Sequence, residues 1–230
     1  MTLTTCSQRI DAAVAARAML AHPFYRAWSE GRLTPADLRA YAGQYQPHVD
    51  AFPKAVGRTY LACEDVSGRR LLAENLAEEE GVGAGRQPHA QLWTQFGEGL
   101  GASRAEVTDA VLEPESQALV DTFAALSAKS YAAGLGALYA YESQLPAVST
   151  TKIDGLERFY GVADEPTLRF FRVHEAADVE HAQVCRELLD ALPDDEADEA
   201  AEAGAELAGA LWGFLSGVER LTGLNRRHAA

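Results

Sequence analysis

No stretch of this 230-residue sequence holds the roughly 18 consecutive apolar residues that a helix needs to cross a bilayer. The opening MTLTTCSQRIDAAVAARAML lacks the uninterrupted apolar segment of a secretory signal, so the expectation is a cytoplasmic protein with no membrane partner. Cysteine is scarce. Cys6, Cys63 and Cys185 are far apart, odd in number and without a CxxC pair, which argues against a disulfide framework and a zinc knuckle. Positive charge is short as well: 20 Lys and Arg stand against 34 Asp and Glu, and the net charge of −14 would repel nucleic acid and anionic membrane surfaces. Strict apolar and polar alternation over strand lengths is scarcely found, and no internal repeat or low-complexity linker divides the chain.

What the sequence does have is apolar residues recurring three and four positions apart. That spacing predicts an all-α fold of seven or eight helices in one domain over residues 1–230, with 47% apolar content ample for its core. A first helix is expected over about residues 5 to 20, and FYRAWSEG forms a short second one ended by Gly31. Thr34-Pro35-Ala36-Asp37 reads as an N-cap, a proline at the first helical position and an acid at the third. The long helix it opens runs to about Cys63, carries a core stripe of Leu38, Tyr41, Tyr45, Val49 and Phe52, and is expected to continue through Pro47 and Pro53 with a kink. Ser67 is expected to cap the next helix, where Leu72, Asn75, Leu76 and Glu79 share a face before Gly81, Gly83 and Gly85 break the pattern.

Pro88 starts a helix with His89, Leu92, Trp93 and Phe96 on one face, Ser103 and Glu106 spell a capping box, and EPESQALVDTFAALSA is amphipathic. YAAGLGALYAYESQLP is rich in Ala and Gly, which predicts a central helix passing close to its neighbours. Its buried face contains a carboxylate, Glu142, among Leu135, Leu138 and Leu145. Residues 149 to 160 continue helically with Lys152, Leu156 and Phe159 on one side. Residues 166 to 192 form a further helix, and a last one, placed after the acidic run DDEADEAAEAGAE, ends near Gly223.

The segment RFFRVHEAADVEHAQV places His174, Asp178 and His181 on one side of its helix, since the latter two lie roughly 40° and 20° around from the first. Two imidazoles and a carboxylate on one face suit a transition metal. With Glu79, His89 and Glu142 the chain offers three histidines and three carboxylates at core-facing positions, a set that suits two metals. Unpaired carboxylates inside a bundle are costly, and two divalent ions would neutralise all three. Each residue taken singly has an ordinary explanation: His89 as a hydrogen-bonded core histidine, Glu79 within the solvated run Glu78-Glu79-Glu80, and Glu142 as the partner of an arginine. The reading therefore rests on the set.

The segments HPFYRAWSEGRLTPADLRAYAGQYQPHVDAFP, NLAEEEG, HAQLWTQFGEGLG, LYAYESQLP, KIDGLERFYG and HEAADVEHA resemble the CADD-like proteins, relatives of the chlamydial protein associating with death domains, within the haem-oxygenase-like dimetal oxidases. The resemblance runs from about residue 15 to 192. It implies a haem-oxygenase-like bundle holding dinuclear iron, or a mixed manganese and iron pair, with dioxygen and an external reductant as co-substrates. By position the family's ligands fall on Glu79, His89, Glu142, His174, Asp178 and His181, the set already collected. One departure is the longer loop GVGAGRQP, which leaves Glu78, Glu79 and Glu80 as alternatives for the first ligand.

The resemblance also implies formation of 4-aminobenzoate for folate biosynthesis from the protein's own tyrosine. Tyr25 matches the excised tyrosine, Lys152 the amino-group donor, and Tyr41 and Tyr141 the tyrosines that assist electron transfer or radical chemistry. Read from the residues alone, Tyr25 is a core aromatic and Lys152 a surface lysine. The electron donor is unknown, and a homodimer is a possible assembly. Other expectations stay open: a dimetal oxidase acting on an external small molecule, a metal-free thiaminase-like hydrolase, or an interaction protein of the same fold. The hydrolase reading suffers because YAAGLGALYAYESQ contains no cysteine nucleophile.

Overall fold

The computed structural model describes residues 4–227, with side chains described except at residues 176–180. All its regular structure among the described residues is helical. In chain order the helices are α1 (Cys6–Ala16), α2 (Pro23–Ser29), α3 (Pro35–Ala62), α4 (Val66–Glu79), α5 (His89–Gly99), α6 (Arg104–Thr108), α7 (Pro114–Lys129), α8 (Tyr131–Glu142), α9 (Leu145–Phe159), α10 (Glu165–Asp190), α11 (Asp194–Thr222) and α12 (Leu224–Arg227). A 3-10 turn, Met19–Ala21, joins α1 to α2. The all-α expectation holds, while the twelve helices among the described residues exceed the seven or eight expected, in part because short helices such as α6 and α12 stand as separate elements.

Local chemistry sets the boundaries. Thr34 accepts from the Asp37 amide while Asp37 accepts from the Thr34 amide, so the long α3 opens with a reciprocal cap and runs through Pro47 and Pro53 to Ala62. Ser103 and Glu106 do the same for α6. Two expectations are corrected. The cap of α4 is Asp65, whose Oδ2 accepts from the Gly68 amide at 2.6 Å, and Ser67 lies inside the helix. The acidic run does not precede the helix that ends near Gly223 but begins it: α11 has Asp194, Asp195 and Glu196 in its first turn, where carboxylates meet the positive end of the helix dipole.

Helix α8 is the axis of the bundle. Every residue from Ala132 to Glu142 is buried, as the Ala and Gly content predicted. A Cβ on Gly136 would lie 2.1 Å from the Ala200 carbonyl oxygen, so α11 crosses α8 at a separation that only glycine allows there. Around α8 the core is aromatic: Trp28, Tyr41, Trp93, Phe96, Phe123 and Phe214 are fully buried. No helix among the described residues is long and apolar enough to cross a membrane.

Candidate active site

Helix α4 ends at Glu79 and α5 begins at His89, so the loop between them must turn back on itself. Gly81 makes this possible: its φ is +68°, and a Cβ there would meet the Pro88 nitrogen at 2.4 Å. The reversal sets Glu79 Oε1 2.8 Å from His89 Nδ1. From α10, His174 brings its ring to 4.5 Å from that of His89, centroid to centroid. Its Nδ1 lies 2.7 Å from the Phe170 carbonyl, which assigns the proton to Nδ1 and makes Nε2 the metal-capable nitrogen. Ligand atoms of Glu79, His89 and His174 all lie within 4.8 Å of one another, and all three side chains are buried. One carboxylate with two imidazoles fits a non-haem iron or manganese ion.

Of the three consecutive glutamates, Glu79 is the buried one. Glu80 is exposed, and Glu78 spans Arg86 at 3.1 Å and His181 Nε2 at 3.3 Å. Glu142 is 1% exposed. Its Oε1 accepts from Asn75 Nδ2 at 2.6 Å, and its Oε2 lies 3.7 Å from the Cys185 Sγ. Asn75 is one turn before Glu79 on α4, so Glu142 abuts the face that carries Glu79. Burial and the neighbouring Glu142 push the Cys185 thiol well up, keeping it a weak donor. The structure thus gathers Glu79, His89 and His174 into one group and gives Glu142 and His181 other partners. Asp178 lies outside the residues whose side chains are described.

A second constellation lies between α2, α3 and α9. Tyr25 Oη is 2.8 Å from Tyr41 Oη, and Tyr41 Oη is 2.5 Å from Lys152 Nζ. Tyr25 is a core aromatic as its sequence context suggested. Lys152 is not on the surface: it is 4% exposed, a correction to the reading from residues alone. Its Nζ lies 4.7 to 5.8 Å from the ring centres of Tyr25, Trp28, Tyr41, Tyr45, Trp93 and Phe171. It has no carboxylate partner among the described residues, and burial holds its pKa well below the usual lysine value. Burial also raises the Tyr25 and Tyr41 phenols, so both stay protonated.

Tyr45, read from the sequence only as core, joins the remaining tyrosine to this row. Its ring stacks on Tyr41 at 5.7 Å with an interplanar angle of 15°, and its Oη is 2.7 Å from Tyr141 Oη. The signal was its spacing of four from Tyr41, which puts both on one face of α3. His48, one turn of α3 beyond Gln44, packs 4.8 Å from the Tyr141 ring, and neither of its ring nitrogens has a hydrogen-bond partner among the described residues.

Comparison with known proteins places this geometry in context. The family described as iron-containing redox enzyme matches residues 39–216. A 4-aminobenzoate synthase from Chlamydia muridarum is 40% identical over 208 residues, spanning 90% of this chain and 87% of that protein. Among solved structures, a CADD-like protein of unknown function from Nostoc punctiforme aligns with a TM-score of 0.78 at 19% identity, covering 94% of this chain and 96% of the other. A domain of unknown function with a heme oxygenase-like fold from Shewanella denitrificans aligns with a TM-score of 0.75 at 16% identity, covering 96% of this chain and 91% of that one. These two structures speak to the fold.

Proposed function

The chain belongs to the family of iron-containing redox enzymes, and from that premise we propose that it forms 4-aminobenzoate, with the ring taken from its own Tyr25 and the amino group from Lys152. The observation that carries this reading is the buried row Tyr25, Tyr41, Lys152, with its contacts of 2.8 and 2.5 Å. An amine and a phenol that must react with each other are here held by one intervening hydroxyl in a pocket walled by aromatic rings.

The chain's residues do specific work in this reading. Burial lowers the Lys152 pKa and so favours the unprotonated amine, the form whose lone pair can bond to carbon. Tyr41, hydrogen-bonded to both partners, orients them and can pass a proton between Nζ and the Tyr25 oxygen. The surrounding rings exclude water that would compete for an oxidised phenol. Preorganisation within one chain replaces substrate binding.

Glu79, His89 and His174, with Glu142, Asp178 and His181, would hold a pair of iron ions, or one of iron and one of manganese. Bound there, the metals supply the capacity to react with dioxygen and oxidise a phenol, with an external reductant returning electrons. Because Tyr25 is consumed, each chain acts about once. The test is intact-mass analysis of metal-loaded protein after exposure to reductant and oxygen. Loss of mass mapped to residue 25, accompanied by 4-aminobenzoate, is expected; product from a chain with an intact Tyr25 overturns the self-substrate reading.

A further inference from the structure

The loop between α4 and α5 does more than reverse the chain. Its residues Gly85, Arg86 and Gln87 form one wall of a cavity of about 320 Å³ that opens to solvent. Leu92 of α5 and Val173 of α10 give that cavity an apolar surface, and His89, one of the three clustered metal-capable residues, lies on its wall. The volume is at the small end of the range for small-molecule sites.

Charge distinguishes the cavity further. Two guanidinium groups line it in a protein of net charge −14. Arg86 is neutralised by Glu78 at 3.1 Å. Arg169, half-buried on α10, spends one donor on the Gly85 carbonyl at 3.0 Å and has no carboxylate partner among the described residues. A guanidinium has five N–H donors, so most of its capacity remains for an anion. Glu78 and Gln87 add polar acceptors to the same lining.

We propose that this cavity binds a small aromatic carboxylate, its carboxylate paired with Arg169, its ring against Leu92 and Val173, and an amino substituent held by Glu78 or Gln87. The lining supplies one complementary group for each part of such a molecule. An occupant covers the approach to His89, so it slows passage of small molecules toward the clustered histidines from this side. The proposal rests on the reading above only for the source of the ligand: an aromatic carboxylate is the class of product that reading assigns, and an aromatic acid from elsewhere carries the same chemistry.

Titration calorimetry on the full chain with 4-aminobenzoate, benzoate and the uncharged 4-aminobenzamide tests the site. Saturable binding of the two carboxylates at one site per chain is expected, with the amide at least tenfold weaker. Arg169→Gln is expected to weaken carboxylate binding at least tenfold. Val173→Trp, which fills the cavity while keeping the arginine at 169, is expected to abolish it and covers the case in which loss of the Arg169 tether to Gly85 disturbs folding. Tighter binding of 4-aminobenzoate than benzoate assigns the product as the source, and the reverse order assigns another aromatic acid. No saturable binding, or full binding by a folded Arg169→Gln or Val173→Trp chain, overturns the site. Measured alongside, 4-aminobenzoate formation separates the two ideas: a chain that makes product without binding it sinks the site alone, and one that binds without making product sinks the activity alone.

Discussion

Lys152 places its Nζ 2.5 Å from Tyr41 Oη and shares its pocket with six aromatic rings. Desolvation lowers its pKa in the folded chain below the ordinary 10.5, so the unfolded chain binds the extra proton in the window between the two. Stability therefore rises as pH increases through that window. Lys152→Met should remove the rise and melt higher near pH 7, with each 1 kcal/mol gained appearing as about 2–4 °C in Tm. The same variant should make no 4-aminobenzoate, and Lys152→Arg should make none either because a guanidinium stays protonated. Thermal melts from pH 6 to 10 and product assays check both.

Tyr25→Phe keeps the ring and removes only the hydroxyl that meets Tyr41. Its cost to stability should be about 1 kcal/mol. Metal content should be unchanged, while product and the mass change at residue 25 disappear. Elemental analysis with mass spectrometry reads all three.

Asn75 donates to Glu142 at 2.6 Å, yet its own Oδ1 is buried without a hydrogen-bond partner among the described residues. Replacing it with the similarly sized leucine should free Glu142 from its orientation and weaken metal binding by about 10- to 100-fold. Competition against a chelator of known affinity measures the loss directly, apart from any change in turnover.

His48 is fully buried between Tyr45, Phe123 and Tyr141, and burial lowers its pKa to about 3. The unfolded chain takes a proton on this residue near pH 6.5, the folded chain only near 3. Stability contributed by the neutral ring is complete above pH 6.5 and falls by about 1.4 kcal/mol per pH unit below it. His48→Phe should flatten this acid-side loss and stabilise the chain, as denaturant titrations at pH 7 and pH 5 would show.

Gly136 tests the packing at the centre of the bundle. With its Cβ position 2.1 Å from a backbone oxygen of α11, Gly136→Ala should destabilise by about 1–3 kcal/mol because no flexible side chain is available to yield. A neutral result in chemical denaturation would mean that α8 and α11 do not meet this closely.

The parts of this structure that were legible beforehand are those governed by local rules. Thr34 and Ser103 cap their helices because hydroxyl and acid sit three residues apart, whereas register with Leu72 and Leu76 favoured Glu79 but left Glu78 and Glu80 as alternatives until its burial was seen. Asp65 was missed because it and Ser67, separated only by Val66, compete for one cap. Lys152 was hardest. Periodicity set it on the side of α9 that includes Leu156, but the aromatic enclosure that makes it unusual is assembled from α2, α3, α5 and α10, and no short segment of sequence encodes that convergence. Tyr45 is similar: its spacing was visible, whereas its contact with Tyr141 on α8 depends on how the helices meet.

Tyr25 is 3% exposed and part of the central hydrophobic cluster. An enzyme that consumes such a residue hollows out its own interior. Loss of a buried aromatic side chain costs about 3–5 kcal/mol, a large share of the roughly 5–15 kcal/mol that holds a typical domain together. The spent chain should therefore open more often, melt lower and be cut faster by protease than the unreacted one. On the self-substrate reading proposed above, the lifetime of the polypeptide would depend on its chemical history, with used molecules cleared while fresh ones persist.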